Sequence, residues 1–394
     1  MEAAEFRKLF LLDPDIVFLN HGSFGACPAT VFEKYQAWQR KLEWQPAAFL
    51  DPVRGYAKWM LDSRKALGAE IGAHADDLVG VTNATNGLNV VAQSLPLQEG
   101  DEILTTDHEY AALDKTWDFV CRRTGAKIVR AQISLPLVDA AEFTQTIIDK
   151  MTTKTKILFL SHITSPTALV FPLEEIVAEA GRRGIWTVVD GAHSPAHIPL
   201  DLDGLGADFY SGNCHKWLMS PKGAAFLHVR HDHQAMINPS IISHGWDPDR
   251  TKPGPFGGTA FVDSMEMQGT RDPAAWLTVP VAIEFHHAHA MPEVQKRCQL
   301  IAWETAQRVV RLTGLPPLSS AEFTAPQMVA MPVPRCDPEW LKQELLDRYN
   351  IEIPVFNWQG RTIVRLSVQC YNTQVEMDML VDALNTLLIQ PHKD

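Results

Sequence analysis

Apolar and polar positions alternate along most of this chain in runs that change period. Between about 61 and 275, helix-period stretches trade places with short apolar runs. Ser63–Ile71, Thr85–Leu95, Tyr110–Thr124, Ala141–Met151 and Leu173–Arg183 carry the helical spacing. Val79–Val81, Glu102–Thr106, Lys127–Ile133, Lys156–His162, Ile185–Val189, Asp208–Ser211 and Gly223–Val229 read as strands. Strands alternating with helices predict a largely parallel sheet covered on both faces. Ligands of such sheets sit beyond the carboxyl ends of the strands, where Thr82, His162, Asp190 and Ser211 fall.

The flanks differ. Residues 1–60 read as an N-terminal arm: a short strand at Val17–Leu19, the turn-rich loop Asn20-His21-Gly22-Ser23-Phe24-Gly25, and a helix opening near Pro28 and running to Trp44. Residues 230–275 show no clear periodicity and hold Pro239, Pro248, Pro253 and Pro255, so they are expected to be a functional or interface loop. Residues 276–394 predict a smaller α+β domain. Its helices are expected at 274–290, 293–312, 337–347 and 374–388, and its strands at 327–333, 350–355 and 361–367.

Composition narrows the class. With 394 residues, 46% hydrophobic and 21% charged, the chain is globular and long enough for two or three domains. A net charge of −12 without a basic run speaks against nucleic acid and anionic membranes as partners. The six cysteines are scattered with no C-x-x-C pair, as expected of reduced thiols in a cytoplasmic protein. No stretch approaches a membrane span, and the first residues do not read as a signal peptide.

Two strand ends carry the candidate chemistry. One apolar run ends in Asp190-Gly191-Ala192-His193, and the next leads into Gly212-Asn213-Cys214-His215-Lys216-Trp217. A lysine that forms a Schiff base and an acid that keeps a pyridine nitrogen protonated are what pyridoxal 5′-phosphate requires. Asn83-Ala84-Thr85 opens a helix after a strand, which suits a phosphate, although plain capping by Asn or Thr accounts for the same residues. Tyr110 either stacks on the ring or covers the sheet end. Each feature is weak alone; their order and spacing make the pattern.

These motifs, with His162-Ile163-Thr164-Ser165-Pro166-Thr167 and Gln268-Gly269-Thr270-Arg271-Asp272, resemble the class V aminotransferase family of fold-type I pyridoxal phosphate enzymes. The Asn20–Gly25 stretch is most similar to the isopenicillin N epimerase-like branch. The resemblance runs from about residue 15 to 390. It implies a large domain with a mainly parallel seven-stranded sheet between helices, and a smaller C-terminal α+β domain. It further implies Lys216 as Schiff-base lysine and acid–base catalyst, Asp190 on the pyridine nitrogen, His193 near the ring oxygen and Tyr110 on the ring face. Ala84, Thr85, Ser165, Asn213 and His215 would complete the cofactor site. Gly269 and Thr270 would reach the phosphate from the partner subunit of a homodimer. Arg365 would clamp the α-carboxylate of an amino-acid substrate, with Asn20, His21 and Gly22 shaping the substrate pocket. Trp246, Phe256 and Trp358 are candidates for its apolar wall.

Cysteine desulfurases of the family carry a reactive cysteine on a loop before this arginine. The matching stretch here, Pro354–Gly360, has none. Persulfide-forming desulfurase activity is therefore disfavoured. The epimerase-like motifs put epimerisation first, with Tyr110 or His21 as second proton donor; C–S β-elimination and transamination are the alternatives. A non-catalytic regulator is disfavoured by the retained Lys216, Asp190 and Arg365.

Overall fold

The computed structural model describes residues 1–389; the last five residues of the expected C-terminal segment lie outside the described residues. Its twelve strands, in chain order, are β1 Val17–Phe18, β2 Leu78–Val81, β3 Glu102–Thr106, β4 Lys127–Ala131, β5 Thr155–Ser161, β6 Trp186–Gly191, β7 Phe209–Asn213, β8 Ala225–Val229, β9 Met328–Val333, β10 Ile351–Glu352, β11 Val355–Trp358 and β12 Arg361–Ser367.

The expected seven-stranded sheet is present, in the order β2-β8-β7-β6-β5-β3-β4. The five strands from β7 to β4 run parallel, while β8 is antiparallel to both of its neighbours. The pleat explains why these strands read as unbroken apolar runs. Ile157, Phe159, Val188 and Phe209 enter one core; Leu158, Leu160, Val189 and Tyr210 enter another. Successive side chains point to opposite faces, and both faces are covered.

A third core belongs to the C-terminal part, around the antiparallel sheet β11-β12-β9 and the helices Met291–Thr313, Pro338–Tyr349 and Gln374–Ile389. Two expectations need correction here. The strand expected at 350–355 is broken: Ile351–Glu352 pairs in parallel with Val17–Phe18, and after Pro354 the chain joins a different sheet at Val355. Proline lacks the N–H that a continuous ladder needs. Residues 230–275 are not wholly loop. They hold a short 3₁₀ segment, His231–Met236, and the helix Ala260–Glu266, capped by Thr259 and buried at every position. A helix buried all round shows no amphipathic period. No helix among the described residues is long and apolar enough to cross a membrane.

Candidate active site

The carboxyl ends of the parallel strands open into a cavity of about 590 Å³. Asp190, at the end of β6, and Asn213, at the end of β7, lie in register with their neighbours, Ser161↔Asp190↔Ser211 and Asn213↔Ala225. Lys216 follows three residues after β7. The cavity is lined by these three residues and by Thr85, Tyr110, Ser165, His193, His215 and Arg365.

Lys216 Nζ lies 3.0 Å from His193 Nε2. The other imidazole nitrogen, Nδ1, accepts the Trp217 indole N–H at 3.4 Å. An indole only donates, so this network puts the imidazole proton on Nε2, facing a neutral amine. The electrostatics agree. Burial, then Arg365, push the Lys216 amine down to about 7, against the opposing pull of Asp190. Burial, then Lys216 and Arg365, hold His193 far below its ordinary value. Burial raises Asp190 to about 6, although the Ala192 N–H donates to Oδ1 at 2.9 Å.

The helix Ala84–Ser94 points its N-terminus at this cavity. Asn83 Oδ1 accepts from the Asn86 N–H, and Asn213 Oδ1 accepts from the Ala84 N–H, both at 2.8 Å. Capping by Asn83 is therefore real, yet Thr85 still lines the cavity. His215 Nδ1 sits 3.1 Å from the Ala224 carbonyl, so it carries the proton, and the ring is pushed down to about 4 by burial, then by Lys216.

Arg365 is 6% exposed. Nη1 donates to Ser165 O at 2.7 Å and to Ser165 Oγ at 3.0 Å, and Nη2 donates to Ser23 Oγ at 2.9 Å. Nε has no acceptor. A guanidinium offers five donors. Among the described residues it has no acidic partner, so a buried positive charge is held by neutral oxygens and opens on the Lys216 cavity. Burial lowers its pKa to about 10.

Other expected residues lie elsewhere. Asn20, His21 and Gly22 do not line the cavity, because the segment forms one helical turn, His21–Phe24, instead of an open loop. That turn presents Ser23 and Phe24 to the cavity. His21 is buried, with Nδ1 2.8 Å from Tyr371 Oη and Nε2 3.0 Å from the Lys216 carbonyl oxygen. Burial depresses it to about 3, so it is a prop beneath the lysine and not a free proton donor. Gly22 N–H donates to Ser367 Oγ, and Asn20 Nδ2 donates to Glu352 Oε1. Gly269 and Thr270 are outside the cavity of their own chain, and Thr270 is exposed. Trp246, Phe256 and Trp358 are not on its wall either; Trp358 packs on His108, with ring centroids 4.6 Å apart.

Three residues escaped the sequence reading. Ser23 holds the arginine. Lys222 lines the cavity and donates to the Gly25 carbonyl at 2.7 Å. Glu109 is buried behind Asp190 and accepts from Thr106 Oγ1, Ser161 N and Ser161 Oγ; burial raises its carboxyl to about 7. Nothing in a Glu-Tyr pair at a helix start distinguishes such a carboxyl from a solvated one.

A family model described as "Aminotransferase class-V" matches residues 28–380. The chain belongs to the class V aminotransferase family. It is 35% identical to isopenicillin N epimerase of Amycolatopsis lactamdurans, over 98% of each chain. To that of Streptomyces clavuligerus it is 33% identical, over 97% of this chain and 98% of the relative. It is also 29% identical to a probable chloroplastic L-cysteine desulfhydrase of Arabidopsis thaliana, over 95% and 84% of the respective chains. Among solved structures, a cysteine desulfurase of Escherichia coli superposes with a TM-score of 0.79 at 21% identity, covering 99% of this chain and 100% of that one. C-DES, with glycine covalently linked to its pyridoxal phosphate cofactor, superposes at 0.81 and 21%, covering 96% and 98%. The chain is thus an enzyme of a pyridoxal phosphate family with the fold-type I architecture.

Proposed function

We propose that this class V enzyme is an amino-acid epimerase that works at Cα with pyridoxal 5′-phosphate. The observation that carries the reading is the pairing, on one cavity, of an amine held neutral and a buried guanidinium lacking an anion. A substrate that brings its own carboxylate completes the arginine, and near-full-length identity to two epimerases favours inversion over the other outcomes.

The residues present fit the cofactor. Asp190 would meet the pyridine nitrogen, Lys216 would carry the cofactor, and the helix start at Ala84 and Thr85, with Ser165, Asn213 and His215, would surround the cofactor and its phosphate. When bound, the cofactor supplies an electron-withdrawing ring that makes the α-proton of an attached amino acid acidic. The protein does the rest. Arg365 fixes the α-carboxylate, since its planar fork suits two parallel hydrogen bonds. Lys216 Nζ, its pKa lowered to about 7 and so increasingly available as the free amine from there upward, takes the proton on its side of Cα. Tyr110 lines the same cavity and is the candidate to deliver a proton to the other face. Ser23 and Ser165 keep the guanidinium aimed. Gly269 and Thr270, exposed and outside their own cavity, are assigned to the phosphate of a partner subunit in a homodimer.

The relationship to L-cysteine desulfhydrases supports β-elimination as a second reading. One experiment separates the two. Holoenzyme is incubated with a panel of amino acids in heavy water. Deuterium at Cα with inverted configuration supports epimerisation. Pyruvate and ammonia, with sulfide from cysteine or the released thiol from a cysteine conjugate, support the lyase, and a keto acid formed with one equivalent of pyridoxamine phosphate supports transamination. Washed-in deuterium with full retention of configuration refutes the epimerase reading.

A further inference from the structure

At the end of the sheet away from the cavity lies a second constellation. His228, in β8, pairs across the ladder with Leu78, the first residue of β2, so that Asp77 lies beside it. The short helix Leu202–Leu205 brings Asp203 to the same place, tied down by its N–H to the Gly72 carbonyl. A ring nitrogen of His228 and one carboxylate oxygen from each aspartate all lie within 4.8 Å of one another.

The histidine argues that this is more than a solvated acidic corner. His228 is 2% exposed, and neither ring nitrogen has a hydrogen-bond partner. Its nearest carboxylate oxygen, on Asp203, is 3.8 Å away, beyond hydrogen-bonding range. A buried imidazole with both nitrogens unmet is costly unless something else fills the gap. The aspartates need a cation as well. Neither has a lysine or arginine partner among the described residues; Asp77 feels His74 and, at 4.0 Å, His231, and the Gln234 amide donates to its Oδ1 at 2.6 Å.

We propose that Asp77, Asp203 and His228 bind a divalent first-row transition ion such as Zn²⁺, which clamps β2, β8 and the Leu202–Leu205 helix together. One imidazole and two carboxylates suit zinc, with water as the fourth ligand; calcium prefers six to eight oxygens. Two carboxylates also neutralise the ion. Zinc bonds of about 2.0–2.2 Å require the three ligand atoms to draw closer than 4.8 Å. Asp203, whose side chain is 58% exposed, is free to swing inward. Gln234 fixes the Asp77 carboxylate from outside, as partners of metal ligands do. The site stands at the amino ends of the parallel strands, so its role is to hold the scaffold and not to touch substrate.

The test uses holoenzyme, stripped by a chelator and titrated with Zn²⁺. Metal content is measured by mass spectrometry and melting by calorimetry. One equivalent per chain should survive gel filtration and raise Tm by about 3–6 °C at a hundredfold excess over Kd. The cofactor's visible absorbance should not change. Asp203→Asn, at an exposed position, should weaken binding at least tenfold and remove most of the Tm shift; Asp77→Asn should do the same through a different element. No retained equivalent at micromolar free Zn²⁺ overturns the proposal. So does a stoichiometry and shift that both variants keep, since the ion then sits elsewhere.

Discussion

At the scale of single residues the site is set by two unbalanced charges. Lys216 is held near 7 by burial and Arg365. Below that pH the amine is protonated and cannot attack an aldehyde. The rate at which apoprotein takes up pyridoxal phosphate, followed by the rise of visible absorbance, should therefore fall about tenfold per pH unit below 7 and level off above it. An ordinary lysine would keep rising toward pH 10. Lys216→Ala should remove turnover altogether while leaving the melting temperature within a few degrees. Arg365→Ala should raise KM for α-amino acids about 10- to 100-fold, the worth of a charge-assisted bond, with a smaller change in kcat. Steady-state kinetics with an amino acid and its decarboxylated amine separates the two parameters, because the amine should not sense the substitution. Asp190 and Lys216 were legible because a strand-end acid and a strand-end lysine recur in a fixed order. Ser23 was not, since the sequence placed the right segment but could not show which way a one-turn helix would face. Glu109 was hidden for a different reason: burial of a carboxyl is decided by Thr106 and Ser161 on other elements.

Among the elements, the turn His21–Phe24 is tightly constrained. Gly25 closes it with φ +70°, and a Cβ there would lie 1.9 Å from the His215 carbonyl oxygen. Gly25→Ala should cost about 2–4 kcal/mol and loosen the lysine loop, because backbone has nowhere to go. Gly100 has φ +89° but open space around it, so Gly100→Ala should cost only about 1–2 kcal/mol. Urea unfolding of the two variants measures the difference. The central strands of the large sheet were readable as unbroken apolar runs because they feed two apolar cores. Ala260–Glu266 was not, since a seven-residue helix buried on all sides carries no period, and the 350–355 strand divided because its two halves answer to partners that the local sequence does not contain.

For the molecule as a whole, a largely parallel sheet and a separate C-terminal α+β part followed from the succession of periods along the chain, whereas the order of the strands came only with the structure. The proposed contact of Thr270 with a partner subunit's phosphate has no local signature, because Thr270 is an exposed residue. Mixing tests the assignment. If Thr270 serves the partner, equal amounts of inactive Lys216→Ala and Thr270→Arg chains, unfolded and refolded together, should recover roughly a quarter of native activity, as random pairing in a two-fold dimer gives. Recovery of none places Thr270 in its own subunit's site.

The pairing of Val17–Phe18 with Ile351–Glu352, together with the bonds from His21 to Tyr371 and from Asn372 to the Phe18 carbonyl, has a consequence for biosynthesis. The segment that props the lysine is made well before its partners, with 350 residues separating His21 from Tyr371. Until those partners are made, the large sheet can form while Val17–Phe18 and His21 lack their C-terminal contacts. A nascent chain stalled before about residue 350 would own Lys216 and Asp190 without a working site. On the proposed function, assembly of the site thus waits for residues 351–372 to be made.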